Sequence, residues 1–212
     1  MIVSLQNVSK RIKGKIILEN ISLELERGKI YGIYGVNGSG KTMLLRAIAG
    51  LMDVDSGVIF VNGEKRVYGK APGINIGVVI EKVDFYGNLA GWENLRLLGE
   101  VRGPFDDSET KRLIDYFDMD HYIDNEVNTY SLGMNQKLAI VQALMEKQPL
   151  VLLDEPTNAL DEDSVERLYA LLSELKRAGR TVVVVSHKKE DLRQLCDMRF
   201  KMSEGRLYGE EE

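Results

Sequence analysis

The chain holds one cysteine, Cys196, among 212 residues, so an internal disulfide is impossible and a reducing cytosol is the expected setting. Helix packing is the expected role of that thiol. No apolar run approaches the roughly 20 residues needed to cross a bilayer. A function at a membrane would therefore need a spanning part from another chain. Met1–Gln6 lacks the basic-then-apolar pattern of a secretion signal. Basic residues are outnumbered, 28 Lys and Arg against 33 Asp and Glu, and the net charge of −5 argues against nucleic acid as the main partner. No internal repeat or low-complexity tract is present, and Glu210-Glu211-Glu212 reads as a solvated tail. The length suits one large α/β domain, or a main domain with a small lobe.

The most informative stretch is Gly35-Val36-Asn37-Gly38-Ser39-Gly40-Lys41-Thr42, which fits the phosphate-binding pattern of two glycines flanking four residues, then Lys and Thr. Glycines let the backbone wrap closely, so that successive N–H groups point at an anion. Lys41 would reach the β- and γ-phosphates of a nucleotide, and Thr42 would offer its hydroxyl to Mg²⁺. An apolar strand, Ile30–Tyr34, precedes the loop. A helical segment, Thr42–Ala49, follows it with its positive dipole end toward the phosphates. The candidate nucleotide set is Gly35, Asn37, Gly38, Ser39, Gly40, Lys41, Thr42 and Met43.

The rest of the pattern predicts strands alternating with helices. Ile21, Leu23 and Leu25 alternate with Ser22 and Glu24 as in a half-buried strand, and Val58–Val61 runs into Asn62-Gly63, a hairpin signal. Ile76–Ile80, Leu150–Leu153 and Thr181–Val185 read as buried strands. Val165, Leu168, Leu172 and Leu175 mark one face of a helix that Lys176 and Arg177 suit and Gly179 stops. Between Asp84 and Lys147 the spacing turns helical, as at Glu93–Leu98 and Thr110–Phe117. The expected fold is α/β, a P-loop NTPase with a mostly parallel central sheet, an N-terminal antiparallel β part and an inserted helical lobe. The division read here is a single domain over 1–212, with 1–83 and 148–212 as catalytic core and 84–147 as lobe. Trp92 is expected to pack in that lobe and His121 to lie on its surface.

Two acids end the apolar strand Leu150–Leu153. Beside a phosphate loop, Asp154 is the candidate partner of Mg²⁺ and Glu155 the candidate general base that orients the attacking water. An ordinary helix start would also favour acids there.

With these segments in this order, nearly the whole chain resembles the ATP-binding subunit of ABC transporters. Asp154-Glu155-Pro156-Thr157-Asn158-Ala159-Leu160-Asp161 resembles that family's magnesium-and-base segment followed by its dimer-contact loop. Ser186-His187 resembles its switch-histidine position, which implies that His187 meets the γ-phosphate. Tyr130-Ser131-Leu132-Gly133-Met134-Asn135-Gln136-Lys137 resembles a degenerate signature segment, with Leu132 where glycine is common and Met134 where glutamine is common. Ser131 and Gly133 are then expected to face the ATP held by the opposite subunit, and Ser131 also suits an ordinary helix cap.

The resemblance implies Mg-ATP hydrolysis with Lys41, Glu155 and His187 as the catalytic set and Thr42, Asp154 and Glu81 near the metal. It implies a homodimer, or a heterodimer with a related ATP-binding chain. It also implies a separate transmembrane permease docked near Glu81–Trp92, and a peripheral position on the inner face of the membrane. The signature form resembles export subunits linked with peptide-antibiotic resistance.

Three positions depart from the family pattern. Glu81 stands where glutamine is usual, Ile12 where an aromatic stacks on adenine, and Met43 where a second hydroxyl is common. Arg11 is an alternative base-stacking residue. The departures keep open a second reading, an ATP-dependent clamp with little hydrolysis. A soluble ATPase of DNA repair or the ribosome fits less well, because the chain has neither a coiled-coil insertion nor a second cassette.

Overall fold

The computed structural model describes residues 1–71, 73–101, 105 and 107–210, the side chains of residues 190 and 191 excepted. Along the chain run β1 (Val3–Ile12), β2 (Lys15–Leu25), β3 (Ile30–Tyr34), α1 (Lys41–Ala49), β4 (Ser56–Val61), β5 (Glu64–Lys65) and β6 (Ile76–Val79). There follow α2 (Gly91–Glu100), α3 (Ser108–Tyr116), a 3-10 turn at Val127–Thr129, α4 (Leu132–Leu144) and β7 (Leu150–Asp154). The chain continues through α5 (Glu162–Arg177), β8 (Thr181–Ser186), α6 (Lys189–Leu195), β9 (Met198–Ser203) and β10 (Arg206–Gly209).

Alternation near the N-terminus builds an antiparallel sheet in the order β2-β1-β4-β5. Ile21, Leu23 and Leu25 are buried and Ser22 and Glu24 exposed, as a one-faced strand requires. Asn62 and Gly63 both take positive φ, 53° and 79°, which the tight turn between β4 and β5 demands.

The second sheet has the order β10-β9-β3-β8-β7-β6 and is parallel except for the β9–β10 pair. Its central strands are apolar throughout because each face meets its own core. Leu150, Leu152, Val183 and Val185 pack with α1 and the antiparallel sheet. Val151, Leu153, Val182 and Val184 pack with α4, α5 and the helices that follow β6. The helix after the phosphate loop is thus held between two sheets, with Leu44, Leu45, Ala47 and Ile48 buried.

α5 begins where the Asp161 carboxylate accepts from Ser164 N at 2.8 Å, and ends with Lys176 and Arg177 in its last turn. Between β6 and β7 the described residues form helices and turns but no strand. Residues 102–104 and 106 of the expected lobe lie outside them. Trp92 is half-buried against Phe105, with ring centroids 6.2 Å apart, and His121 is exposed.

One expectation changes. Glu210 is not a solvated end: it pairs with Lys189 and with Arg199 at 3.1 Å, and its side chain is 19% exposed, while Glu211 and Glu212 lie outside the described residues. Cys196 is buried at the C-terminal cap of α6, and a β-carbon at Gly32 of β3 would stand 2.9 Å from its sulfur, so it packs this helix end onto the strand.

Candidate nucleotide-binding and catalytic site

β3 enters the site buried between β8 and β9, and the chain leaves it through the loop 35–40. The loop glycines answer to packing as much as to a phosphate. A β-carbon at Gly35 would lie 2.1 Å from the Met202 carbonyl oxygen, and one at Gly40 would lie 2.6 Å from that of Ile17. Gly40 also has φ 109°, closed to side-chain-bearing residues at low cost. The loop is therefore pressed onto β9 and β2, while Gly38 has open space around it.

Lys41 is buried, and its ammonium donates to the carbonyls of Gly35 at 2.7 Å and Val36 at 3.1 Å, one N–H remaining for an anion. No side chain caps α1 and no acid stands in its first turn, so its first N–H groups and positive dipole end face the loop unshielded. The hydroxyl of Ser39 is buried without a partner. An orphaned donor inside an N–H-lined loop fits a phosphate.

Facing the loop, β7 delivers Asp154, whose Oδ2 accepts from Thr42 Oγ1 at 2.5 Å. Burial pushes the Asp154 carboxyl above its ordinary range; the Thr42 bond opposes this, and the charges of Glu155 and Glu81 add to it. The next residue, Glu155, turns back with φ 48°, its N–H bonded to the Val185 carbonyl at 2.9 Å. Its Oε2 lies 2.8 Å from Nδ1 of His187, which follows β8. A proton is assigned to His187 Nδ1, which then donates to the Glu155 carboxyl oxygen.

Glu81, just past β6, also has a left-handed φ, 58°, and its Oε2 accepts from Arg46 Nη2 at 2.6 Å. Backbone strain of this kind costs about 1–3 kcal/mol per residue and gathers at functional sites. A cavity of about 470 Å³ is bordered by Asn37, Gly38, Gly40, Lys41, Thr42 and Met43 on one side. Glu81, Lys82, Leu132, Gln136, Asp154, Glu155 and Asn158 complete its wall. His187 joins Gly35, Val36 and Asn37 around an adjoining hollow.

For a divalent cation, the Thr42 hydroxyl and the Asp154 carboxylate are hard oxygen donors already in contact. Among the described residues no group of three His, Cys, Asp or Glu side chains is arranged to hold a metal. That fits Mg²⁺, which takes one or two protein oxygens and completes its shell with phosphate and water.

Other predicted residues stand apart. Ser131 Oγ caps α4 by accepting from Met134 N at 3.2 Å, and Met134 Sδ lies 3.4 Å from Ser131 N in return. Gly133 rests on the next loop, where a β-carbon would be 2.7 Å from the Ala159 carbonyl oxygen. Ser131 and Gly133 line a separate hollow with Lys137 and Asp161. Ile12 ends β1 opposite Lys15 and borders neither cavity.

Sequence reasoning passed over Arg46 and Lys82, and it quoted Gln136 and Asn158 only as members of the signature and dimer-contact segments, not as part of this cavity. For Arg46 a signal existed, since it lies four residues after Thr42 and so on the same helix face. It also passed over Asn94, which is buried and fixes residues 86–90 by accepting from Tyr86 N at 2.8 Å and donating to the Ala90 carbonyl at 2.9 Å.

Residues 18–158 match the family model described as ABC transporter. The chain is 39% identical over 201 residues to the uncharacterized ABC transporter ATP-binding protein YybJ of Bacillus subtilis (strain 168), covering 95% of this chain and 92% of that one. It is 30% identical over 208 residues to the lantibiotic transport ATP-binding protein SrtF of Streptococcus pyogenes, covering 98% of this chain and 90% of that one. The dimeric post-hydrolysis structure of the ATP-binding cassette MJ0796, bound to ADP and Pi, superposes with a TM-score of 0.85 at 27% identity, covering 99% of this chain and 98% of that one. The chain belongs to the ABC transporter family, as its ATP-binding, ATP-hydrolysing subunit.

Proposed function

We propose that the chain works as a dimer, hydrolysing Mg-ATP to drive a separate transmembrane permease that exports a peptide-like substrate. The observation that carries this reading is the pair of contacts at the nucleotide cavity and the hollow adjoining it, Thr42 to Asp154 at 2.5 Å and Glu155 to His187 at 2.8 Å. The loop N–H groups and Lys41 bind the β- and γ-phosphates. Thr42 and Asp154, with Glu81 at the same cavity, would hold Mg²⁺, which would supply charge neutralisation on the phosphate oxygens. Glu155 accepts a proton from the attacking water. With both ring nitrogens protonated, His187 donates from Nδ1 to the Glu155 carboxylate and from Nε2 to the γ-phosphate. Ile12 covers the adenine.

Ser131 and Gly133 serve the ATP of the other subunit, in keeping with their placement outside this chain's own nucleotide cavity. The division into a core of 1–83 and 148–212 and a lobe of 84–147 lets the lobe carry the permease contact. Tyr86 is 65% exposed on the segment that Asn94 holds, and Leu97, Leu98 and Val101 of the same lobe are exposed as well. No helix among the described residues is long and apolar enough to cross a membrane, so the inner-face position depends on that partner. Export is supported by the likeness to SrtF, whose name assigns it to lantibiotic transport.

The test is Glu155→Gln, loaded with Mg-ATP and used as bait in gently solubilised membranes. A general base contributes about 10²–10⁴-fold to rate, so turnover should fall by that much while ATP binding persists. A polytopic membrane protein should co-purify in stoichiometric amount. Turnover unchanged by the substitution, or capture of soluble proteins alone, would refute the mechanism or the partner respectively.

A further inference from the structure

One face of α1 holds two strand-end carboxylates, one helical turn apart. Thr42 contacts Asp154 at the end of β7, and Arg46, four residues on, contacts Glu81 just after β6. Because β6 and β7 are parallel neighbours with Val79 opposite Leu153, Glu81 emerges beside the Asp154–Glu155 turn. The nucleotide cavity is thereby bordered by three carboxylates, Glu81, Asp154 and Glu155, in front of a loop built for polyanions. The other cation at that edge, Lys82, is spent differently: its side chain is 80% exposed and 4.0 Å from Asp84. Arg46 holds Glu81 directly, at 2.6 Å.

We propose that Arg46 is a positioning residue that binds and neutralises Glu81, so that nucleotide phosphates can enter the site before a divalent cation balances its carboxylates. This rests on reading the cavity as the nucleotide site. Paired with Arg46, Glu81 adds little repulsion to metal-free ATP and is fixed against α1 in spite of its left-handed backbone. Without Arg46 the carboxylate is free and repels the phosphates until the cation arrives. Arg46 therefore sets how steeply nucleotide affinity depends on Mg²⁺.

The experiment is a binding cycle, with no turnover required. A fluorescent ribose-labelled ATP is titrated in EDTA and in Mg²⁺ against wild type, Arg46→Gln, Glu81→Gln and the double variant. The pair is half-exposed, 36% at Arg46 and 55% at Glu81, which limits the effect. Arg46→Gln should weaken metal-free binding by about three- to fivefold and Mg²⁺-dependent binding by less than about twofold. In the Glu81→Gln background the substitution should change nothing, and Arg46→Lys should restore most of the metal-free affinity. Equal losses in both backgrounds would mean that Arg46 acts on the phosphates directly, and no loss would mean that it does not act; either overturns the proposal. Melting temperatures of all variants identify any that fail to fold, and Arg46→Lys then carries the comparison. Lys41→Ala separates the two levels. If it leaves binding intact, the nucleotide-site reading falls; if it abolishes binding while Arg46→Gln does nothing, only the role of Arg46 falls.

Discussion

Replacing Asp154 by Asn should make the nucleotide-free protein more stable while it removes ATP turnover. The Asp154 carboxyl titrates above its ordinary value of 3.8 because it is buried, with Glu155 and Glu81 adding charge of the same sign against the opposing Thr42 bond. A proton held more tightly folded than unfolded means that stability falls as pH rises from the unfolded pKa to the folded one. Above both, the loss is complete. Asn keeps the shape and an amide oxygen for the Thr42 hydroxyl, now at 2.5 Å. The lost charge assistance costs about 1 kcal/mol. Relief of burial and like-charge repulsion exceeds it, and partial exposure to water keeps the net gain to about 1 kcal/mol. For a chain of this size that is about 2–4 °C in Tm. Thermal unfolding in EDTA should show the gain at pH 7.5 and lose it as pH falls through the raised folded pKa of wild-type Asp154 toward its unfolded value. In Mg-ATP the order should reverse, since a ligand at a hundred times its Kd stabilises wild type by about 2.7 kcal/mol. A variant that melts below wild type in EDTA at pH 7.5, or a gain indifferent to pH, would refute the reasoning.

Gly133→Ala should lower stability by about 1–3 kcal/mol, because its β-carbon would sit 2.7 Å from the Ala159 carbonyl oxygen; an unchanged Tm would show that the loop yields. Burial pushes the Cys196 thiol up to about 12, so a disulfide reagent at pH 8 should label it only on unfolding, and labelling of native protein at the rate of a free thiol would contradict its packing on Gly32. Ile12→Tyr should tighten ATP binding about fivefold or more if Ile12 covers the base. An unchanged Kd would move the adenine contact to Arg11.

Chemistry was more legible in the sequence than contact. The loop Gly35–Thr42, the acids after Leu153 and the histidine after Ser186 each sit where a buried strand stops, and an apolar run that ends in a polar residue marks its own edge. α5 was legible because its apolar face, its terminal cations and the glycine that stops it agree. The chain after Ser186 was less so. β9 reads Met-Arg-Phe-Lys-Met-Ser with only Met202 fully buried, and a half-exposed strand leaves little periodic signal. Glu210 reads as tail because its partners, Lys189 and Arg199, are joined to it only by the folding of β9 and β10.

The sequence by itself determined the reacting groups and the elements that carry them, because phosphate binding, proton transfer and strand burial each demand particular residue types at short spacing. Only the tertiary structure decided which of those groups meet. Asp154 reaches Thr42 across 112 residues and His187 reaches Glu155 across 32, because β7 lies beside β8 and α1 is clasped between two sheets. It also decided that Glu81 faces Arg46, and that Gly35 and Gly40 are required by the carbonyls of Met202 and Ile17 as well as by an anion. Those contacts depend on strand order and helix rotation, which long-range packing sets and local spacing does not encode.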